Sequence, residues 1–406
     1  MRVSKSDLRS VLLDATCLTG YSGTRGIGQV TSTLLEGLFA ARDQWRERLS
    51  ISVLQRISTF GGPVVTHDLA EAIEKNGPGP IGGNVPLLMG RRLRIPFAVS
   101  GFQLLHQMEA FGTPLFDRIP RSVTCYDFIP LRFPADYLSG PIELAKTRAE
   151  ARWRFGRAAR IVCISERTKR DLMELVRPEA SRVDVVSLGL NGSRWFETAD
   201  AAVDQALLAA LPLPSGPFLL YVGGADRRKN AEGMMATLAE LGRRGRAMPL
   251  VWAGFLEEKH QLAVRALAEQ EGVADQLHLL GFVDKEQLTA LFRRATAHLF
   301  LSRIEGFGLS VAEAMAVGCP VVVAAGSGAE EVAGDSALTV SPDDSQESAS
   351  AVLRLMDDAD LRTKLVARGR ARIHDCRAER MALGYVESWE KALGADVQRS
   401  PGIRET

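Results

Sequence analysis

Short, continuous apolar runs, each followed by a longer stretch of helical periodicity, recur from one end of this 406-residue chain to the other. In the first half they are Val11-Leu12-Leu13, Ile51–Leu54, Ser122–Cys125, Ile161–Ile164 and Val183–Val186. In the second half they are Phe218–Val222, Leu250–Ala253, His278–Leu280, His298–Leu301 and Pro320–Val323. A strand that is apolar along its whole length has to be covered on both faces, and helices between parallel strands do that. The pattern predicts an α/β chain of two Rossmann-like, doubly wound domains. Gly189, Gly192, Pro212, Pro214, Gly216 and Pro217 punctuate an Ala-rich segment between the two series, which reads as the connection. The expected division is 1–190, 191–375, and a closing segment 376–406 that ends in a polar tail. Ligands of doubly wound sheets bind beyond the carboxyl ends of the strands, so two such sheets facing each other would make one cleft.

Composition narrows the partners. Apolar residues are 46% and charged residues 24%, enough apolar material for two cores. A net charge of +1 does not suggest a nucleic-acid partner, which usually goes with a strong basic excess. The five cysteines, Cys17, Cys125, Cys163, Cys319 and Cys376, form no CxxC pair, and three lie inside apolar runs. They read as buried, reduced thiols of a cytoplasmic protein. No stretch approaches the ~20 apolar residues of a membrane span, and Asp14 interrupts the only apolar run near the start, so no secretory leader is expected.

The densest chemical signal follows the run His298–Leu301. The string runs Ser302-Arg303-Ile304-Glu305-Gly306-Phe307-Gly308-Leu309-Ser310-Val311-Ala312-Glu313. It predicts a strand end, a glycine-bracketed turn and a helix starting near Gly308. Glycines let backbone approach a ligand closely, and a helix N-terminus suits a diphosphate. Two carboxylates beside such an anion site are explained if they accept hydrogen bonds from hydroxyls, Glu305 from a sugar and Glu313 from a ribose diol. Taken alone, Glu305 reads better as an acidic residue placed to favour the helix dipole; the whole string favours a ligand site.

Glu305-x7-Glu313 within Glu-Gly-Phe-Gly-Leu, followed by Gly318-Cys319-Pro320-Val321-Val322, closely resembles the donor motif of the family 4 retaining glycosyltransferases of the GT-B fold. Tyr221-Val222-Gly223-Gly224 with Arg228-Lys229-Asn230 resembles that family's phosphate-binding turn. Leu280-Gly281-Phe282-Val283 resembles the strand end before the base pocket. Ser327-Gly328 with Glu331–Asp335 resembles a further donor signature, and Asp14 with Arg25-Gly26-Ile27-Gly28 the opening strand and glycine loop. Ser165-x5-Asp171-Leu172 resembles a helix start in the acceptor domain.

The resemblance implies an acceptor-binding first domain and a nucleotide-sugar-binding second domain, with a closing helix around Glu379–Leu393 that crosses back to the first. It implies a diphosphate contact for Lys229. The family usually also carries an Arg directly after the first glycine, where Gly224 stands, so Arg228 is assigned the second charge. Gly223, Gly224, Gly306, Phe307, Gly308 and Leu309 would surround the donor, with Gly26 and Gly28 approaching its phosphates. The implied chemistry is front-face displacement with retention, Glu305 anchoring hydroxyls. The strings look most like the bacterial mannosyltransferase branch, which points to GDP-mannose, an α linkage and O-antigen or exopolysaccharide synthesis.

Other residues are more equivocal. Relatives commonly carry His-Asp where this chain has Tyr126-Asp127; Asp127 either orients the acceptor or caps the turn. Gly20, Gly23, Gly26 and Gly28 do not make a dinucleotide fingerprint. The six histidines make no metal spacing, and His278 and His298 read as core. Asp358-x-Asp360 imitates a metal-binding pair but reads as a helix cap, so no metal and no cofactor beyond the sugar donor are expected. The basic stretches Gly90–Pro96 and Arg152–Arg157 would either touch anionic lipid, or a polyprenyl-diphosphate-linked glycan acceptor at a membrane periphery, or form a solvated face with snorkelling arginines. Two rivals share the architecture: a sugar-nucleotide epimerase and a non-catalytic nucleotide-sugar binder. Intact Glu305, Glu313 and Lys229 weigh against the latter. A phosphorylase would need a pyridoxal-phosphate lysine, which no motif marks.

Overall fold

The structure, a computed structural model, describes residues 8–19, 26–56, 64–68, 92–93, 102–110, 119–190, 192–197 and 200–397. It divides into two compact units, Met1–Asn191 with Cys376–Thr406, and Gly192–Asp375. Gly20, Gly23, Arg25 and most of the stretch Gly90–Pro96 lie outside the described residues.

The first unit is built on an eight-stranded sheet. Its strands are β1 (Arg9–Asp14), β2 (Leu49–Arg56), β3 (Val64–Asp68), β4 (Arg92–Leu93), β5 (Leu104–Gln107), β6 (Arg121–Cys125), β7 (Arg160–Cys163) and β8 (Val183–Val185). They lie in the order β4-β3-β2-β1-β5-β6-β7-β8. From β2 to β8 the pairing is parallel, with Leu13 opposite Val53 on one side and His106 on the other. Strands β3 and β4 depart from the expected pattern and pair antiparallel at the edge. The chain between Arg56 and Val64 is shorter than the roughly dozen residues a parallel crossover needs.

The helix Gly26–Ala40 buries Val30, Leu34, Leu35 and Leu38, the one-face spacing of a helix on a sheet. Against it packs the closing helix Ala378–Val397. That helix is integral to this unit, since Tyr385 and Trp389 are fully buried. The Tyr385 hydroxyl lies 3.1 Å from Thr124 Oγ1, which also meets His106 Nε2 at 3.0 Å. Burial keeps His106 neutral, its pKa pushed down to about 3. Ser388 Oγ and Lys391 Nζ reach Asp184 at 2.8 and 3.0 Å, and the same carboxylate binds Arg160.

The second unit has six strands, all parallel: β9 (Leu219–Val222), β10 (Leu250–Ala253), β11 (Leu277–Gly281), β12 (Ala297–Phe300), β13 (Val321–Ala324) and β14 (Leu338–Val340). Their order is β11-β10-β9-β12-β13-β14. Every residue of β10, β12 and β13 is buried, as continuous apolar runs require. His298 belongs to this core, with Nδ1 2.9 Å from Leu220 O and Nε2 3.2 Å from Ser310 Oγ. His278 is only partly buried, because β11 is an edge strand. The Ala-rich segment read as a connection packs as part of this unit. The helix Ala201–Leu208, capped by Asp200, lies against Lys285–Arg294, where Arg293 pairs with Asp204 at 3.0 Å.

Candidate active site

In the second unit the chain leaves β9 through Gly223-Gly224. Two buried aromatic residues of the sheet hold that turn by their polar tips. Tyr221 Oη donates to Gly224 O at 2.9 Å and Trp252 Nε1 to Gly223 O at 3.0 Å, while the two rings meet edge-on. Gly223 has φ +151°, and a Cβ there would stand 2.7 Å from the Tyr221 hydroxyl, so only glycine fits. A single helical turn, Arg227–Lys229, follows. Asn230 then takes a left-handed conformation and caps the helix Ala231–Arg243.

The chain leaving β12 carries Glu305 to the same place. Its Oε1 accepts from Lys229 Nζ at 2.6 Å and its Oε2 from Arg228 Nη1 at 2.8 Å. The three side chains are between 11% and 16% exposed, so the pairing is poorly screened. Burial alone would push the Glu305 carboxyl up; Lys229 and Arg228 outweigh it and hold it below the usual carboxylate range. Lys229 Nζ also stands 5.5 Å over the ring of Phe300.

Beyond Glu305 the backbone turns through Gly306 and Gly308. Gly308 sits at φ +106° ahead of the helix Leu309–Val317, where a Cβ would come 2.7 Å from Ala329. That helix has no side-chain cap, leaving its dipole end to the turn. Phe307 sends its ring into the core, 5% exposed, so it offers a ligand only backbone. The loop at Ser327-Gly328 closes on this turn: Gly328 N donates to Glu305 O at 2.9 Å.

Glu313, inside the helix, is partly buried and forms no ion pair or hydrogen bond among the described residues. Desolvation pushes its carboxyl up to about 8, against the weaker pull of Lys285 and Arg194. A carboxyl in that condition accepts hydroxyl hydrogens readily once ionised.

Lys229, Arg228 and Glu305 are thus in contact, Gly223, Gly224, Gly306 and Gly308 lie on the same two strand-to-helix connections, and Leu309 and Glu313 lie in the helix that follows the second. The remaining candidates belong to the first unit. Gly26 is exposed and Gly28 buried at the start of the helix Gly26–Ala40. Asp127 Oδ1 accepts from Ile129 N at 2.9 Å, which caps the turn after β6. Tyr126 has a buried hydroxyl that burial keeps un-ionised. Ser165 caps the helix Glu166–Leu175, and Asp171 holds Arg132 at 2.6 Å. Asp358 accepts from Leu361 N at 2.8 Å and caps the helix Ala359–Ile373. No group of three or more His, Cys, Asp or Glu suited to a metal occurs among the described residues.

Two residues here carry weight that the sequence did not assign. Asn230 is fully buried and bonded to three backbone groups. Arg303 binds Arg227 O and Asp343. The positive φ of Asn230 and the partner of Arg303 are tertiary facts that no spacing marks.

Residues 209–372 match the family model described as glycosyl transferases group 1. An O-antigen chain mannosyltransferase B of Escherichia coli is 24% identical over 366 residues, 85% of this chain and 91% of the relative. Among solved structures, sucrose-phosphate synthase from Thermosynechococcus elongatus superposes with a TM-score of 0.71 at 19% identity, covering 95% of this chain and 100% of that one. Anabaena HepE in complex with UDP-glucose does so with a TM-score of 0.67 at 16% identity, covering 94% and 99%. At those identities the superpositions speak for the fold, which is GT-B.

Proposed function

We propose that this chain, a group 1 glycosyltransferase by its residues 209–372, transfers a hexose with retention from a nucleotide-sugar to a glycan or lipid-linked glycan. The observation that carries the reading is the pair of cations on Glu305, at the carboxyl ends of β9 and β12 and next to the uncapped helix at Gly308. A diphosphate competes with Glu305 for Lys229 and Arg228. Negative charge grows on its leaving oxygen in the transition state, where preformed cations in a desolvated site stabilise most. Glu305, relieved of its partners, accepts hydrogen bonds from the sugar, and Glu313 from the ribose.

In the front-face step, the acceptor hydroxyl oxygen bonds to the anomeric carbon as the bond to the diphosphate oxygen breaks. That departing oxygen takes the acceptor's proton. Lys229 and Arg228 hold the diphosphate, and no protein nucleophile enters.

We assign GDP-mannose as donor and an α linkage, supported by the strings shared with bacterial mannosyltransferases and by the E. coli relative's name. For the acceptor we favour a lipid-linked glycan at an anionic membrane surface. The outer face of the helix Pro141–Gly156 supports this. Ile142 and Trp153 are 85% and 42% exposed on it. Lys146, Arg148, Arg152 and Arg157 flank them, and none of the four is in an ion pair among the described residues.

Calorimetric titration with GDP, UDP and dTDP tests the base; preference for UDP or dTDP removes the mannose assignment. Turnover of labelled donor with and without acceptor separates a transferase from an epimerase or a binder. A β-linked product from an α-linked donor would overturn the mechanism.

A further inference from the structure

The two cations would be of little use if the turn carrying them could wander. Arg227–Lys229 is a single turn, tethered to its own chain by Lys229 N to Asp226 O at 2.7 Å and Asn230 N to Arg227 O at 3.2 Å. Besides the ion pairs to Glu305 and a bond from Arg228 Nη1 to Ile304 O at 3.3 Å, it is tied to the rest of the sheet by Asn230 and Arg303. Asn230 Nδ2 donates to Leu301 O at 3.1 Å and to Pro342 O at 2.6 Å, the chain just beyond β12 and β14. Its Oδ1 meanwhile accepts from Gly233 N at 3.1 Å. Arg303, two residues before Glu305, donates its backbone N–H to Arg228 O at 2.8 Å and its Nη1 to Arg227 O at 3.1 Å. Nη2 of Arg303 is anchored 2.9 Å from Asp343.

Glycine would satisfy φ 62° at position 230 with less strain than asparagine. The asparagine therefore does something that the backbone conformation alone does not require, and its amide is fully buried with both hydrogens and the oxygen used. We infer that Asn230 and Arg303 are positioning residues that lock the Arg228-Lys229 turn to the Glu305 loop, so that both cations face the diphosphate in register. This rests on the reading of Lys229 as a diphosphate contact.

The test is a double-mutant cycle on the full chain. N230G keeps the left-handed backbone and removes the side-chain ties; R303Q, at a residue whose side chain is 28% exposed, carries the same test if N230G does not fold. In folded wild-type background each should lower kcat/KM, N230G by ~10-fold or more, with most of the loss in kcat. In an R228A/K229A background each should change kcat by less than about 2-fold, because both groups being positioned are gone. A merely structural defect would multiply through the R228A/K229A background unchanged, and that result, or normal kinetics in folded N230G and R303Q, overturns the inference. Normal kinetics in K229A alone overturns the reading of Lys229 instead, so the two failures are distinguishable.

Discussion

Glu313 gives the sharpest quantitative prediction. Its carboxyl is pushed up to about 8 by burial and it forms no ion pair or hydrogen bond among the described residues. If it accepts hydrogen bonds from a ribose diol, the ionised form is the binding form. At pH 7 a group with a pKa near 8 is about one-tenth ionised. Raising the pH from 7 to above 8 should therefore strengthen nucleoside binding by up to ~10-fold, with release of one proton on binding below pH 8. Glu313→Gln should flatten this dependence, and a 2′,3′-dideoxy nucleoside should show none of it with the wild-type protein. Calorimetry in buffers of different ionisation heat reads both the affinity and the proton count. The sign for folding is opposite. The folded carboxyl holds its proton to higher pH than the unfolded one, so this group costs stability increasingly as pH rises from about 4.5 through about 8. Glu313→Gln should accordingly raise Tm at neutral and alkaline pH. A wild-type affinity indifferent to pH between 7 and 8.5, or a Gln variant that keeps the slope, would refute the role given to Glu313.

Further outcomes are expected at other positions. Lys229→Ala should lower kcat/KM by ~10-fold or more in steady-state kinetics, the loss of a charge-assisted hydrogen bond in a poorly solvated site, and unchanged kinetics in a folded variant would dismiss the assignment. Turnover should survive EDTA; activity lost and restored specifically by Mg²⁺ or Mn²⁺ would reveal a metal requirement. Asp184 is held below the usual range because Arg160, Ser388 and Lys391 outweigh its burial, so it contributes stability above the unfolded pKa that is lost as pH falls through the folded one. Asp184→Asn should lower Tm at pH 7 and shrink the drop between neutral and acid pH, and an unaltered melting profile would remove the anchor role. Replacing Ile142 and Trp153 by Ser and Ala should weaken sedimentation with anionic phospholipid vesicles, as added salt should, and leave turnover of a soluble acceptor intact; equal binding by the variant would count against the membrane-facing acceptor.

The uninterrupted apolar strands were legible because a run such as Val321–Val323 fits only a sheet covered on both sides. The strand β5 was not, since His106 and Gln107 break its apolar run although both are fully buried. In β14 the exposed Thr339 interrupts the apolar run. The edge strand β3 owes its direction to the short chain before it. At the site, Glu305 and the Arg228-Lys229 turn were each visible as strings. Their contact, between residues 76 apart in the chain, follows from β9 and β12 being neighbours, and strand order is not written locally. Phe307 was read as part of a ligand turn because the string is contiguous, while its ring belongs to the core.

The closing helix has a consequence for synthesis on the ribosome. The second unit is one continuous stretch, Gly192–Asp375, so all of its strands exist before translation ends. The first unit is not; Tyr385 and Trp389, buried in its core beside His106, follow the whole of the second unit in the chain. Domains generally fold as units, earliest-synthesised first. Here that order is inverted: the half that emerges first must wait, with the apolar face meant for Ala378–Val397 uncovered, until the half that emerges second is complete.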